Sequence, residues 1–511
     1  MFRILKPPQS GLELHELETR NGTLFLIVLK GTPLSLESEL LNLSPESLLL
    51  RLAYQLATFA AAIATPKKVW LRSDPHGGLC WYRSSIHPNL LSIDIESLGE
   101  KGGINKKYLA GFIHSATLNR PQHKTTAWNE IERFPPGVTW LLTTQTVKKC
   151  QEIHSVSFSD PAKIAHALEN YFKQIMPVGP SGMLLSGGSD STLLLNLTAA
   201  QGNYIEALNY THSSDPVGRD AFVAQNVCDR WRSKVCLTQV NLDKSPYYKN
   251  MVSNACHFTE PSIGIYVAEQ QIWNDNFFIE KNIQQVITGE GGDAFHGGLE
   301  YLSMLYRQWH WVSLFKELWQ LAQWGNITRS DYVEKVQVFP NWLCLRQAKV
   351  KPSLVRKYNP LRHDAFMNLT SSSPMLETQM ALSYRRGLSY HHPFLGEKPL
   401  ALALALHPRS LLKKSGGDRA FYRNHLLHLL PLELHASMPP SHWSGVDITG
   451  FKNHFHEIEL LFSDSQLNKL GWIDPYLFLK HLEVVANNNS FLGELEKRIL
   501  VAEAWLQAHQ F

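Results

Sequence analysis

Nowhere in this 511-residue chain do two cysteines stand in a CxxC arrangement, and its six thiols, Cys80, Cys150, Cys228, Cys236, Cys256 and Cys344, are scattered. Neither a zinc ribbon nor a disulfide framework is indicated, and reduced thiols in a cytoplasmic protein are expected. Long clean apolar runs are also missing. The richest, LLLRLAYQLATFAAAIA from Leu48, is interrupted by Arg51 and Gln55 and reads as an amphipathic helix packed on a sheet, not as a membrane span. The opening MFRILKPPQSGLELHE has no apolar core of signal-peptide length, so export is not expected. Charge of one sign is scarce too: a formal net charge of +4 tolerates an anionic substrate and gives little support to a nucleic-acid groove. No GxxxxGK[ST] occurs, which removes the commonest nucleotide loop.

What is present suits two or three domains with sizeable cores, at 44% hydrophobic and 18% charged residues. Up to about residue 150, short strand-like runs such as TLFLIVLKG and TPKKVWLRSD alternate with turns like DPHGG and FPPG, the pattern of a layered α+β unit. From about residue 160 the pattern changes: a helix over 161–176, a strand over 182–186, a helix from 190, then strands YIEALNYTH and QQVITG, with mostly helix beyond Leu299. Such alternation gives an α/β fold, a parallel sheet covered on both faces. The boundary is expected between Thr146 and Asp160, dividing the chain into 1–155 and 156–511. Within RQWHWVSLFKELWQLAQW, residues 307–324, Trp311, Phe315, Leu318 and Ala322 fall at the helical spacing of a core face. Glu132, Arg133 and the FPPG turn are expected to close the amino-terminal layer, and His391 and His392 to pack or cap.

The chemistry concentrates in MLLSGGSDSTLLL, residues 183–195, where an apolar strand breaks into Ser186, Gly187, Gly188, Ser189, Asp190 and Ser191 before a helix. Free N–H groups and the positive dipole end at a helix start bind phosphate, glycines allow close approach and serines add donors. Asp190 would repel that phosphate unless a cation lies between them, which predicts Mg²⁺ bridging Asp190 to a di- or triphosphate. The plainer alternative, a helix cap, accounts for one acid only. A second loop, VITGEGGDAFHGG over 286–298, again follows a strand and sets acids among glycines. Gly289, Gly291 and Ala294 formally fit a dinucleotide fingerprint, but Glu290 and Asp293 would oppose a pyrophosphate lying there. Asp293 makes sense instead as the second Mg²⁺ ligand opposite Asp190.

The first loop resembles the PP-loop, SGGxDS, of enzymes that cleave ATP between its α- and β-phosphates, and TGEGGD about a hundred residues later extends the likeness to the synthetase domain of asparagine synthetases. HPFLGEKPLALALALHP from His392 and GGDRAFYRNHLLHLLP from Gly416 are similar to later segments of that family. RSDPHGGLCWY at Arg72 and FPPG at Phe134 resemble remnants of its amino-terminal glutaminase domain. The resemblance implies a glutaminase-like (Ntn-type) sandwich over 1–155 and an ATP pyrophosphatase domain over 156–511, with ATP and Mg²⁺ as cofactors. It also implies adenine against the main chain at Leu185 and Leu208, with Thr288 and Gly289 on the ribose side.

The departures are informative. The family's glutaminases attack with an amino-terminal cysteine, yet residue 2 is Phe2 and no cysteine precedes Cys80, so a thiolate able to open glutamine's amide is lacking. Relatives without the cysteine include β-lactam synthetases and lasso-peptide cyclases, which join a carboxylate and an amine of one molecule. Where the β-lactam enzymes have a tyrosine stands Glu290, and Arg419 in DRAFYR replaces the family lysine, as in the lasso cyclases. The resemblance therefore points to a lasso-peptide macrolactam synthetase, with Glu290 as proton acceptor for the attacking amine and Arg419 neutralising phosphate charge. The implied partners are a lasso precursor peptide and a leader-removing cysteine protease, with no nucleic acid and no membrane. A segment from His257, HFTEPSIGIYVAEQQIW, and the helices after Gly298 are the candidate walls of the peptide pocket. The alternatives are a β-lactam synthetase-like enzyme and an ammonia-dependent asparagine synthetase-like ligase of small molecules.

Overall fold

The computed structural model describes residues 2–7, 9–34, 36–114, 124–143, 146–151, 157–213, 219–296, 311–322, 373–411, 420–434 and 444–509. Two sheets carry the amino-terminal part. One is antiparallel and six-stranded, in the spatial order Val147–Gln151, Thr139–Thr143, Lys68–Ser73, Phe59–Ala64, Gly22–Leu29, Leu12–Thr19. The other is four-stranded, in the order Arg3–Ile4, Leu90–Ser92, Trp81–Ser84, Ile131–Phe134.

The run from Leu48 departs from the single helix expected of it. A helix over Pro45–Gln55, capped by the Ser44 hydroxyl, ends there, and Phe59–Ala64 is a strand inside the six-stranded sheet. Alternate residues serve two cores: Ala60 and Ala62 face one, Phe59, Ala61 and Ile63 the other, beneath Leu48, Leu49 and Leu52 of the helix. A strand buried on both faces loses the polar alternation that marks strands, so its sequence is hard to tell from helix.

The third sheet is parallel throughout, ordered Val235–Asn241, Ile205–Thr211, Ser181–Leu184, Gln285–Thr288, Ser389–His391. Its edge strand Ser389–His391 places His391 and His392 deep in the protein, 6% and 1% exposed, and three residues carry too little pattern to be read as a strand. Helices Pro161–Ile175 and Ser189–Ala200 share one core with Phe394, Leu400 and Phe421.

The two parts are joined through polar pairs as well as apolar cores. Arg72 of the six-stranded sheet reaches Glu397 at 2.5 Å, both almost wholly buried. Arg133 stays within its own layer, with its guanidinium over the Tyr82 ring and on the Thr125 carbonyl, and also pairs with Glu260 outside it, while Glu132 is held on Arg83 at 2.5 Å. The helix Trp311–Ala322 differs from the core element expected: Trp311, Val312, Phe315 and Trp319 are exposed and Leu314 is buried, while the side chains of Leu318 and Ala322 lie outside the described residues. Among the described residues no helix is long and apolar enough to cross a membrane, and Cys80, Cys150, Cys228, Cys236 and Cys256 form no disulfide.

Candidate active site

Strand Ser181–Leu184 feeds Leu185–Gly188 into the helix Ser189–Ala200. Gly188 is the helix N-cap and offers no side chain, while Asp190 stands in the first turn without capping it. The first N–H groups of a twelve-residue helix therefore open toward whatever anion lies before them. The serines hold the loop's shape. Ser191 Oγ accepts from the Ser186 amide at 3.2 Å and meets Ser186 Oγ at 3.0 Å, and Ser186 Oγ accepts from the Gly188 amide at 3.2 Å. Gly187 has φ +79°, and a Cβ there would sit 2.1 Å from the Asp220 carbonyl oxygen. Its glycine is required by that neighbouring chain, a reason distinct from phosphate approach.

The second loop leaves strand Gln285–Thr288 beside the first, since Leu184 pairs with Thr288 in the ladder. Contact between the loops is close: a Cβ on Gly292 would lie 2.3 Å from Asp190 Cγ. Asp293 sits in a short 3₁₀ turn over Gly292–Phe295 whose last residue is followed by His296. That histidine bridges the two loops, with Nε2 3.1 Å from Asp190 and Nδ1 3.0 Å from Asp293. Donor atoms of Asp190, Asp293 and His296 all lie within 4.8 Å of one another. Two carboxylates converging with an imidazole form a donor set that fits a divalent cation, and the carboxylate oxygens are the hard donors Mg²⁺ prefers. His296 was missed in the sequence, although its place three residues after Asp293 was signal enough.

Both loops open on a cavity of about 560 Å³. Leu185, Ser186, Gly188, Asp190, Ser191, Leu208, Thr288, Gly289, Glu290 and Asp293 line it, whereas Gly187 of the loop and Ser189, the first residue of the helix, do not. The Leu185 amide donates to the Leu208 carbonyl at 2.9 Å, so it is already committed to the ladder and unavailable to a purine. Thr288 Oγ1 meets His392 Nδ1 at 2.7 Å, which ties its hydroxyl to the buried edge strand. Arg419 lies outside the described residues.

Glu290 is half-buried beside Asp293. Burial pushes its carboxyl above the usual range, a hydrogen bond from Ser373 pulls it back, and the like charge of Asp293 adds to the rise. A raised carboxyl is better matched to accept a proton near neutral pH than an ordinary one. The rest of the wall includes Tyr210 of the strand Ile205–Thr211 and Met375 and Gln379 from helical segments after Gly298, with Asp220, Tyr247 and Asn274 from segments that the sequence did not mark. Of the expected wall beginning at His257, Gln270 alone lines this cavity. Its first residues, His257–Glu260 and Ser262, instead line a separate cavity of about 110 Å³ against Gly77–Cys80, Tyr82 and Arg133 of the amino-terminal part.

The family model described as asparagine synthase matches residues 163–507, well over half of the chain and inclusive of both loops. Comparison with the curated proteins gives no match.

Proposed function

Because the chain belongs to the asparagine synthase family, a class of ATP-dependent, AMP-forming carbon–nitrogen ligases, we propose that it closes the isopeptide ring of a lasso peptide. One observation carries the reading above all: the two loops keep Asp190, Glu290 and Asp293 around one cavity. An amide ligase that draws no ammonia from glutamine takes its amine from elsewhere, and an amine of the substrate itself meets that need.

In this reading the side-chain carboxylate of an Asp or Glu in the peptide is activated by ATP, giving a mixed anhydride with AMP and releasing pyrophosphate. The N-terminal amine of the same peptide then attacks the activated carbonyl, forms the amide and expels AMP. Asp190 and Asp293 would hold Mg²⁺, which when bound neutralises phosphate charge. The amides at the start of the Ser189–Ala200 helix orient the phosphates. Glu290 takes the amine's proton, a contribution typically of about 10²–10⁴-fold. Arg419 supplies further positive charge, and as an arginine it does not give up a proton. The amino-terminal sandwich acts as a glutaminase-like scaffold without a nucleophile, and the precursor peptide and a leader-removing cysteine protease are the partners.

The test is mass spectrometry of a candidate leader-free lasso core peptide incubated with enzyme, ATP and Mg²⁺. Loss of one water per AMP formed is the expected result, and Glu290→Gln should slow it. An unchanged peptide, with AMP appearing only when a small amino acid is added, would replace this reading with a small-molecule amide ligase.

A further inference from the structure

The cavity that Glu290 lines also carries two buried side-chain carbonyl oxygens that lack a hydrogen-bond partner among the described residues. Gln270 and Gln379 are 5% and 1% exposed, both line the cavity, and each has a buried Oε1 with no hydrogen-bond partner among the described residues. A buried acceptor left unmet costs about 1–3 kcal/mol. Two on one wall are therefore costly unless something brings them N–H donors. Gln270 belongs to the helix Ala268–Glu280, where Tyr210 donates to Asn274 one turn further on, so this wall is already braced. Gln379 opens a π-helical turn over Gln379–Ser383, a geometry that recurs at functional positions.

Charge narrows the ligand. The described residues lining the cavity include Asp190, Asp220, Glu290 and Asp293 and no lysine or arginine. With Asp190 and Asp293 set aside for a metal cation, Glu290 still favours a positive group, and a carboxylate would find no cationic partner among the described residues of this wall. Unmet carbonyls with a carboxylate between the loops select a ligand that is cationic and offers more than one N–H.

We infer that Gln270 and Gln379 form an amine-side subsite that takes the free N-terminal residue of a peptide, an ammonium followed by a peptide N–H. The inference rests on the ligase reading above and assigns which end of the substrate lies against this wall: the amine, poised toward Glu290, and not the tail.

The experiment uses the full chain and a defined probe, glycyl-glycinamide, against its N-acetyl twin, titrated by ligand-observed NMR. The free-amine probe should bind at least about tenfold tighter than the acetylated one. Gln270→Leu and Gln379→Leu should weaken it by about five- to hundredfold, the range of an unmet buried acceptor. Gln379→Glu keeps the shape and an acceptor oxygen, so it should bind the probe at least as well as the parent, which separates the subsite from a folding defect. Equal binding of the two probes, or unchanged binding in both leucine variants, overturns the inference. ATP affinity is measured separately: a parent protein that binds the probe but not ATP would sink the ligase reading while leaving the subsite standing.

Discussion

Asp190 and Asp74 are both aspartates that follow a strand and stand beside paired glycines, yet they lie in opposite circumstances. Asp190 reaches His296, its neighbour loop and an open cavity, and its side chain keeps 16% exposure. Asp74 is fully buried, accepts from the amides of Phe59, Gly78 and Leu79 at 3.2, 2.8 and 3.1 Å, and faces His76 at 3.1 Å. Desolvation pushes its carboxyl up to about 7 against those hydrogen bonds. The same ingredients thus face an open cavity in one region and serve internal closure in the other. The sandwich commits its polar groups to pairs such as Arg72–Glu397 and Arg133–Glu260, whereas the loops at the sheet edge keep carboxylates and helix amides facing the cavity.

The comparison breaks most severely at Arg72. Arg72→Met strands Glu397 as a buried charge and should cost about 3–5 kcal/mol in urea unfolding, with most of it recovered in the Arg72→Met/Glu397→Met double variant. On the other side, Asp190→Ala or Asp293→Ala should leave the unfolding midpoint nearly unchanged and lower AMP formation by about 10²–10³-fold, as loss of a preorganised electrostatic contact does. Equal damage to stability from both classes of variant would erase the distinction between the regions.

A smaller effect sharpens it. Desolvation lowers His391 to about 4 and His392 to about 3, against about 6.5 in an unfolded chain. The native state then binds fewer protons, so this stability is present above about pH 6.5 and is lost as pH falls toward 4, by up to about 1.4 kcal/mol per pH unit for each histidine. His391→Gln should flatten the slope. Asp74, raised in the fold, binds more protons natively between about pH 4 and 7 and works the other way, so Asp74→Asn should steepen it. The smallest change expected is at the exposed face of the Trp311–Ala322 helix, where Val312→Ser or Trp319→Ser should shift stability by no more than about 0.5 kcal/mol. A loss of several kcal/mol there would restore the core reading of its spacing.

Both loops stand out in the sequence because their information is local: strand, glycines, acid and helix lie within a dozen residues. The parallel strands at Ser181, Ile205 and Gln285 are legible for the same reason, each bounded by turns and followed by helix. What was illegible depends on distance along the chain. Arg72 and Glu397 are 325 residues apart, and Gln270 and Gln379 meet at one cavity from separate helical segments. Phe59–Ala64 hid its identity by being buried on both faces, and Ser389–His391 by its brevity. His296 is the exception, a residue within reach of a local reading that the glycine pattern drew attention away from.

The most direct measurement follows labelled ATP incubated with the protein, Mg²⁺ and the leader-free peptide, with and without glutamine. AMP and pyrophosphate accumulating in step with cyclised peptide, at a rate glutamine does not change, is the result expected of an intact ATP edge joined to a closed scaffold. ADP and phosphate as products, or turnover that depends on glutamine, would contradict it.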